Sequence, residues 1–237
     1  VNPAIGPYPD GLSGSGAKNA YFVVEEYQYW RFLTAPFMSV GIIHLLCTVG
    51  ILLETGAFFE REWGSINWLI VLATSSIGAT LYSCIFSPNT VSVMSSATVV
   101  GLFGAKCSTL ILTVGTDLLS GDGNINEELD MGTVINIVCS FAFTMMLAIF
   151  PYVDFSGHLG GFMTGFFVGM LLLTRSVRAP PMVKLVWMFL GVGLSLITII
   201  YGLVSLAVLE PDGELGFPCY YFDNIHYEGY ECTCSVN

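Results

Sequence analysis

Four polar side chains lie in otherwise apolar stretches and are of types that could carry out acid–base chemistry: His44, Thr48, Ser96 and His158. A serine hydroxyl is a weak nucleophile until a hydrogen-bonded base takes its proton, and histidine suits that task because its pKa lies near neutrality. The attack creates an oxyanion, which a second histidine or a hydroxyl can stabilise by hydrogen bonding. These side chains therefore permit nucleophilic catalysis, provided that the fold brings them together.

The composition indicates which elements must position these side chains. Of the 237 residues, 54% are hydrophobic and 11% are charged, and the mean hydropathy is +0.73. Such values are typical of a polytopic membrane protein, in which a spanning helix needs about 20 apolar residues. The sequence predicts an all-α membrane helix bundle with one membrane domain at 36–209, an exoplasmic first loop at 1–35 and a tail at 210–237. The predicted transmembrane helices are six: 36–56, 66–86, 91–115, 132–152, 156–175 and 184–209.

The basic residues orient the bundle, because Lys and Arg near the ends of spans concentrate on the cytosolic side. Arg61 follows the first predicted span, and Arg175, Arg178 and Lys184 surround the linker between the last two. The two loops that contain these basic residues are assigned to the cytosol. The N-terminal segment 1–35 and the tail 210–237 then lie outside. Residues 1–11 do not resemble a signal peptide, so we expect an upstream transmembrane helix or cleaved signal before residue 1. The net charge of −11, with no basic patch, argues against nucleic acid as a partner.

Depth in the membrane places four polar residues in one exoplasmic layer: Ser95, Ser96, His158 and His44. The third and fifth predicted spans both enter from outside, so Ser96 and His158 each lie about one helical turn in. His44 lies about two turns into the first span, also from outside. Lys106 lies nearly three turns beyond Ser96 and is interpreted as a snorkelling or structural residue.

Two stripes of small residues offer a way to bring Ser96 and His158 together. Small residues at every fourth position let helix backbones approach closely. If the stripes pack against each other, Ser96 and His158 meet beside their exoplasmic ends. The predicted helix-packing residues are Ala97, Gly101 and Ala105 in the third span, and Gly157, Gly161, Gly165 and Gly169 in the fifth.

The tail holds three cysteines, Cys219, Cys232 and Cys234. In an oxidising compartment we expect a disulfide from Cys219 to Cys232 or Cys234, with one thiol left over. A zinc site with His226 is a weak alternative, because the C-x-C spacing lacks a second pair. The sequence thus predicts neither a metal nor a cofactor.

Five segments in the correct order resemble motifs of the rhomboid family of intramembrane serine proteases, of the eukaryotic secretory type. They are NPAIGPYPDGLSGSGAK, YWRFLTAPFMSVGIIHLL, GAFFEREWG, SVMSSATVVGLFGA and YVDFSGHLGGFMTG. The resemblance implies a rhomboid-like bundle whose first helix lies upstream of residue 1. It further implies Ser96 as nucleophile, His158 as general base and His44 as an oxyanion donor. The partners it implies are transmembrane-helix substrates or clients within a lipid bilayer.

The sequence departs from the family pattern at the site itself. Met94 and Ala97 stand where the Gly-x-Ser-Gly motif has glycines, and Thr48 stands where an oxyanion asparagine is expected. Methionine adds bulk and restricts a backbone that must cradle the oxyanion. Thr48 is shorter than asparagine, and losing one oxyanion donor typically costs about 10²–10³ in rate.

Two interpretations therefore compete. In the first, the chain is a pseudoprotease with a degenerate site that binds transmembrane segments or serves as a subunit of a membrane assembly. In the second, it is an active endopeptidase that cleaves transmembrane substrates near their exoplasmic ends through a Ser–His dyad. A transporter or channel is less favoured, because its spans should carry more buried charge. The cysteine-bearing tail and the extra C-terminal helix favour the secretory pathway or plasma membrane over the mitochondrial inner membrane.

Overall fold

The computed structural model describes residues 5–120 and 131–211, and regular structure in these ranges is helical. The N-terminal segment forms three short helices, α1 (Pro9–Gly14), α2 (Ala20–Val24) and α3 (Arg31–Thr34), followed by a 3₁₀ turn at Ala35–Phe37. Arg31 ties this segment together, because its Nη1 donates to the carbonyls of Ser13 and Ala17, both at 2.7 Å.

The remaining helices form the bundle. The first is α4 (Ile42–Ile51), which continues through one π-helical turn at Leu52–Gly56 into α5 (Ala57–Trp63). The others are α6 (Ser65–Phe86), α7 (Ser95–Ser120), α8 (Met131–Met146), α9 (Phe155–Leu172) and α10 (Pro181–Ala207). Helix α9 begins at an N-cap, because the Asp154 side chain accepts from the Ser156 backbone N–H.

The helices differ from the predicted spans in number and in bounds. Within the described ranges, five helices are long and apolar enough to cross a membrane. The predicted span 132–152 corresponds to a shorter apolar helix, Val134–Ile149. It stops there because Phe150 precedes Pro151 and is extended (φ −66°, ψ 138°), the conformation that a following proline imposes.

Two predicted starts are also wrong. The first spanning helix begins at Ile42 rather than at 36, since a 3₁₀ turn containing Pro36 and an extended Gly41 come before it. Helix α7 begins at Ser95 rather than at 91, because Ser92 and Val93 pair as extended chain with Lys18 and Val153. Ser95 and Ser96 therefore lie in the first turn of α7 and not one turn inside it.

Helix α9 lies at the centre of the bundle, against α6 and α7. The glycines of α9 meet the small residues of α7 in register: a Cβ on Gly165 would overlap the Gly101 carbonyl, and one on Gly169 would lie 2.7 Å from the Ala105 Cα. Because residue numbers rise together on both sides, α7 and α9 run parallel and start at the same end. Ser96 and His158 consequently lie at one end of the seam, which is the predicted exoplasmic end.

Candidate functional site

His158 lies one turn into α9 and is fully buried. Its Nδ1 lies 3.0 Å from the Asp154 carbonyl oxygen. A carbonyl only accepts, so in the neutral ring the proton belongs on Nδ1 and the Nε2 lone pair is left to act as base. Nε2 has no hydrogen-bond partner among the described residues.

Ser96 is also fully buried, in the first turn of α7. Its Oγ lies 3.3 Å from Nε2 of His44, which is therefore the histidine that it contacts. The chain before Ser96 is fixed by two backbone bonds, from the Val93 N–H to the Tyr152 carbonyl (2.9 Å) and from the Met94 N–H to the Ala35 carbonyl (3.0 Å). The nucleophile candidate is thus held by the N-terminal segment on one side and by the approach to α9 on the other.

The two candidate oxyanion donors on α4 differ in what they can do. His44 is buried, with its ring edge-on to Phe150 (centroids 5.9 Å apart), and its Nε2 faces Ser96. Thr48 instead donates its hydroxyl to the His44 carbonyl at 2.9 Å. That proton is therefore used within the helix, in the i−4 bond that threonine commonly makes.

The Met94 side chain is fully buried and lies in the seam between helices. Its Sδ lies 2.7 Å from where a Cβ on Gly157 would stand, and it packs with Ala35, Ala79 and Ala97. The absence of a side chain at Gly157 makes room for the methionine. Ser95 points elsewhere, with its Oγ 3.4 Å from the Ser39 hydroxyl, and so does not replace Ser96.

Comparison with known proteins identifies the architecture. A family model for the rhomboid domain matches residues 26–175, which is more than half of the chain. The chain belongs to the rhomboid family. RHOMBOID-like protein 1 of Arabidopsis thaliana is 31% identical over 174 residues, covering 73% of this chain and 42% of that protein.

Other relatives carry names that differ in the activity they state. Inactive RHOMBOID-like protein 8 of Arabidopsis thaliana is 28% identical over 164 residues, covering 69% of this chain and 44% of the relative. Rhomboid protease GluP of Bacillus subtilis is 27% identical over 168 residues, covering 68% of this chain and 29% of the relative. This rhomboid chain therefore spans less than half of the length of each of these three proteins.

Sequence reasoning missed a polar network beneath the rhomboid site. The Asp154 carboxylate accepts from the hydroxyls of Ser83 (2.5 Å), Ser87 (3.2 Å) and Ser156 (2.5 Å). Lys18 is fully buried beside it, and its Nζ donates to the carbonyls of Ser87 and Thr90. Burial lowers the pKa of the Lys18 ammonium, an effect that Cys84 and Asp154 oppose electrostatically.

The residues of this network are visible in the sequence, but they lie far apart along the chain. Serines at the end of α6, an aspartate before α9 and a lone lysine in the first loop are distant in sequence. The bridge between Lys18 and Ser92 brings them together.

Other predicted residues fall outside this site or outside the described ranges. Lys106 forms an ion pair with Glu62 (Nζ to Oε1, 2.5 Å), in agreement with a structural role. Cys219, Cys232 and Cys234 lie beyond the residues that the structure describes. Cys47, Cys84, Cys107 and Cys139 are free thiols. No group of metal-ligating side chains occurs in 5–120 or 131–211.

Proposed function

We propose that this rhomboid binds transmembrane helices without cleaving them. The observation that carries the proposal is that the Ser96 hydroxyl bonds to His44, while Nε2 of His158 has no partner among the described residues. A serine that is not hydrogen-bonded to its base is not activated for attack. The chain then acts as a pseudoprotease, a binding partner for transmembrane segments or a subunit of a membrane assembly.

Two further features support the non-catalytic proposal. Met94 fills the space beside Gly157 with a thioether, in the position where the family has a glycine. The hydroxyl of Thr48 is engaged with its own helix, so His44 is the remaining side-chain oxyanion donor on α4. A serine hydroxyl that bonds to His44 is not activated by the general base. A site that lacks one oxyanion donor also stabilises the transition state less.

The second candidate function is an active rhomboid serine endopeptidase. One observation favours it: the Asp154 carbonyl holds the proton on Nδ1 of His158, which leaves Nε2 in the tautomer that a general base needs. For catalysis, the Ser96 side chain would have to rotate about χ1, so that its hydroxyl leaves His44 and forms a hydrogen bond to Nε2 of His158.

Serine-directed labelling separates the two functions. The full chain in membranes is treated with a fluorophosphonate and, separately, incubated with a model substrate whose transmembrane helix contains a destabilising Gly-Pro pair. We expect no Ser96-dependent labelling and no cleavage, but equal co-purification of the model helix with wild type and with Ser96→Ala. Labelling that disappears in Ser96→Ala and persists in Ser95→Ala would establish the protease instead.

A restoration series sharpens this experiment. Thr48→Asn restores the length and the donor that the oxyanion position lacks, and Met94→Gly restores the motif glycine. If the degenerate residues cause the inactivity, the double variant should gain Ser96-dependent labelling of at least about tenfold. Thr98→Asn is the matched control for the first change, because Thr98 also donates to the carbonyl four residues back but does so from α7.

We infer a home in the secretory pathway or plasma membrane, on the basis of the exoplasmic cysteine-bearing tail. One relative, RHOMBOID-like protein 6 of Arabidopsis thaliana, is named mitochondrial. The compartment of this chain is therefore tested by fluorescence localisation against markers of both compartments. The tail disulfide from Cys219 to Cys232 or Cys234 is proposed together with this home, since it requires an oxidising compartment.

A further inference from the structure

Glu54 is an exposed carboxylate in the middle of the first spanning segment, which runs from α4 through the π turn to α5. The segment covers Ile42–Trp63. A rise of about 1.5 Å per residue puts Glu54 roughly 18 Å from its predicted exoplasmic end and roughly 14 Å from its cytosolic end. The position therefore falls within the hydrocarbon core, which is about 30 Å thick. An ionisable side chain at that depth is costly and is a candidate for a functional contact.

The bundle provides no partner for this carboxylate. Within the two described ranges, the Glu54 side chain forms no ion pair and no hydrogen bond. Side chains of a helix tilt toward its N-terminus, which is the predicted exoplasmic end of α4. The carboxyl therefore points away from the cytosolic interface, which is the nearer one, and does not snorkel to it as a long lysine side chain does. A group from outside the described ranges is needed to satisfy it.

The face around Glu54 is apolar and open. The exposed hydrophobic side chains of α4 and the π turn recur at three- and four-residue spacing on one side: Ile42, Leu45, Leu46, Val49 and Leu53. Gly50 lies about one turn before Glu54 on that side, and a Cβ added to it would meet no atom within 4 Å. It leaves a notch at which the backbone of a second helix can approach closely.

The charge of Glu54 selects the occupant of this face. Ionisable side chains within a membrane pair with one another, so a basic side chain at the same depth suits the carboxylate. The described residues of a second copy offer none: Lys106 lies within a span but is paired with Glu62, and the other basic residues lie in loops or near helix ends. We propose that this face docks the transmembrane helix of another protein, one that carries a Lys or Arg near the middle of its span.

The proposal rests on the binding of transmembrane helices proposed above and gives that binding a surface and a partner class. The docking face lies on the side of α4 opposite His44 and Thr48, which are buried in the bundle. A helix bound there therefore does not occupy the site around Ser96.

Förster energy transfer in phosphatidylcholine liposomes tests the docking face, with the full chain carrying one fluorophore and a synthetic transmembrane helix carrying the other. Three Leu-Ala probe helices differ only in their central residue, which is lysine, leucine or glutamate. We expect the lysine helix to bind about tenfold more tightly than the leucine helix, and the glutamate helix to bind most weakly. Glu54→Gln should abolish the preference for lysine, and Glu54→Lys should transfer it to the glutamate helix.

Matched variants separate this face from general effects of charge and packing. Glu26→Gln makes the same change at an exposed carboxylate of the first loop and should leave the preference for the lysine helix intact. Gly50→Leu fills the notch and should weaken binding of the lysine helix severalfold. Gly193→Leu fills an equally open space on α10 and should not weaken it.

Equal binding of the lysine and leucine helices, or an unchanged preference in Glu54→Gln, would overturn the docking face. Energy transfer between two copies of the chain that disappears in Glu54→Gln would assign the face to a second copy instead. Binding that is lost when an upstream transmembrane helix precedes residue 1 would assign it to that helix. Cleavage of the lysine helix, followed by mass spectrometry in the same samples, would overturn the non-catalytic function and leave the docking face in place.

Discussion

At the scale of single residues, Asp154 joins the stability of α9 to the orientation of His158. Its carboxylate caps the helix and gathers three serine hydroxyls, while its carbonyl accepts from the ring of His158. The same residue thus fixes where α9 begins and which tautomer the histidine adopts. An engaged Thr48 and an unpartnered Nε2 of His158 show that contacts, and not residue identity alone, decide what a site can do.

Replacing Asp154 should destabilise the bundle. Asp154→Ala removes the cap and leaves the hydroxyls of Ser83 and Ser156 without their acceptor, at a cost of about 1–3 kcal/mol. Asp154→Asn retains a capping oxygen and should cost less. Thermal unfolding in detergent measures both, and an unfolding temperature for Asp154→Ala equal to that of wild type would contradict this role.

Lys18 should make stability depend on alkaline pH. Burial holds its pKa below the ordinary 10.5, so the unfolded chain binds more protons than the folded one between the folded-state pKa and about 10.5. The free energy of unfolding should therefore rise as pH increases through that window. Lys18→Met should lose this dependence and, at neutral pH, leave the Ser87 and Thr90 carbonyls without their donor.

The measurement for Lys18 is a comparison of slopes. Thermal unfolding is followed from neutral pH to about pH 10 in wild type and in Lys18→Met, and the slopes of stability against pH are compared. Identical slopes in wild type and Lys18→Met would show that Lys18 is not the source.

At the scale of elements, the parallel seam between α7 and α9 determines the position of the site. Gly165→Ala would place a Cβ into the Gly101 backbone and should destabilise the protein by about 1–3 kcal/mol. The matched control is Gly115→Ala, which lies in α7 with no atom within 4 Å of the added Cβ. It should be neutral or stabilising by up to about 1 kcal/mol. Chemical denaturation of both variants measures the difference, and equal effects would contradict a tight seam.

A contact between α7 and α9 is easier to anticipate from the sequence than the ends of the helices. The four-residue spacing of glycines is a local pattern that can be seen without knowing the fold. Helix starts depend on what the preceding chain does instead: Ser92 and Val93 pair with distant segments, and Phe150 is extended by its neighbour. Likewise, a sequence indicates that Ser96 and His158 exist but not that the hydroxyl turns to His44.

At the scale of the whole molecule, four basic residues lie at the end of the bundle opposite the site: Arg61, Arg175, Arg178 and Lys184. The outermost helix, α10, contacts the bundle through glycines, with a Cβ on Gly191 meeting Met170 and one on Gly202 meeting Leu81. Most of its surface is exposed and apolar, as expected of a helix that faces lipid.

This orientation can be measured with cysteine labels. In a chain whose tail cysteines are replaced by serine, Glu210→Cys should react with a membrane-impermeant maleimide in intact cells. Arg61→Cys should react only after permeabilisation, because it lies in a predicted cytosolic loop. The chain without either new cysteine provides the background, and labelling of Arg61→Cys in intact cells would reverse the assigned topology.

The π turn at Leu52–Gly56 has a consequence for how the segment from α4 to α5 tolerates changes in length. His44 and Trp63 are buried and lie nineteen positions apart, whereas five α-helical turns take about eighteen residues. One residue is therefore in excess, as after a single-residue insertion, and the wide turn absorbs it. Deleting Leu53, which is 70% exposed, should convert the turn to α-helix and leave both ends facing the bundle. Deleting the similarly exposed Leu46 (67%) from α4 should instead rotate His44 away from Ser96.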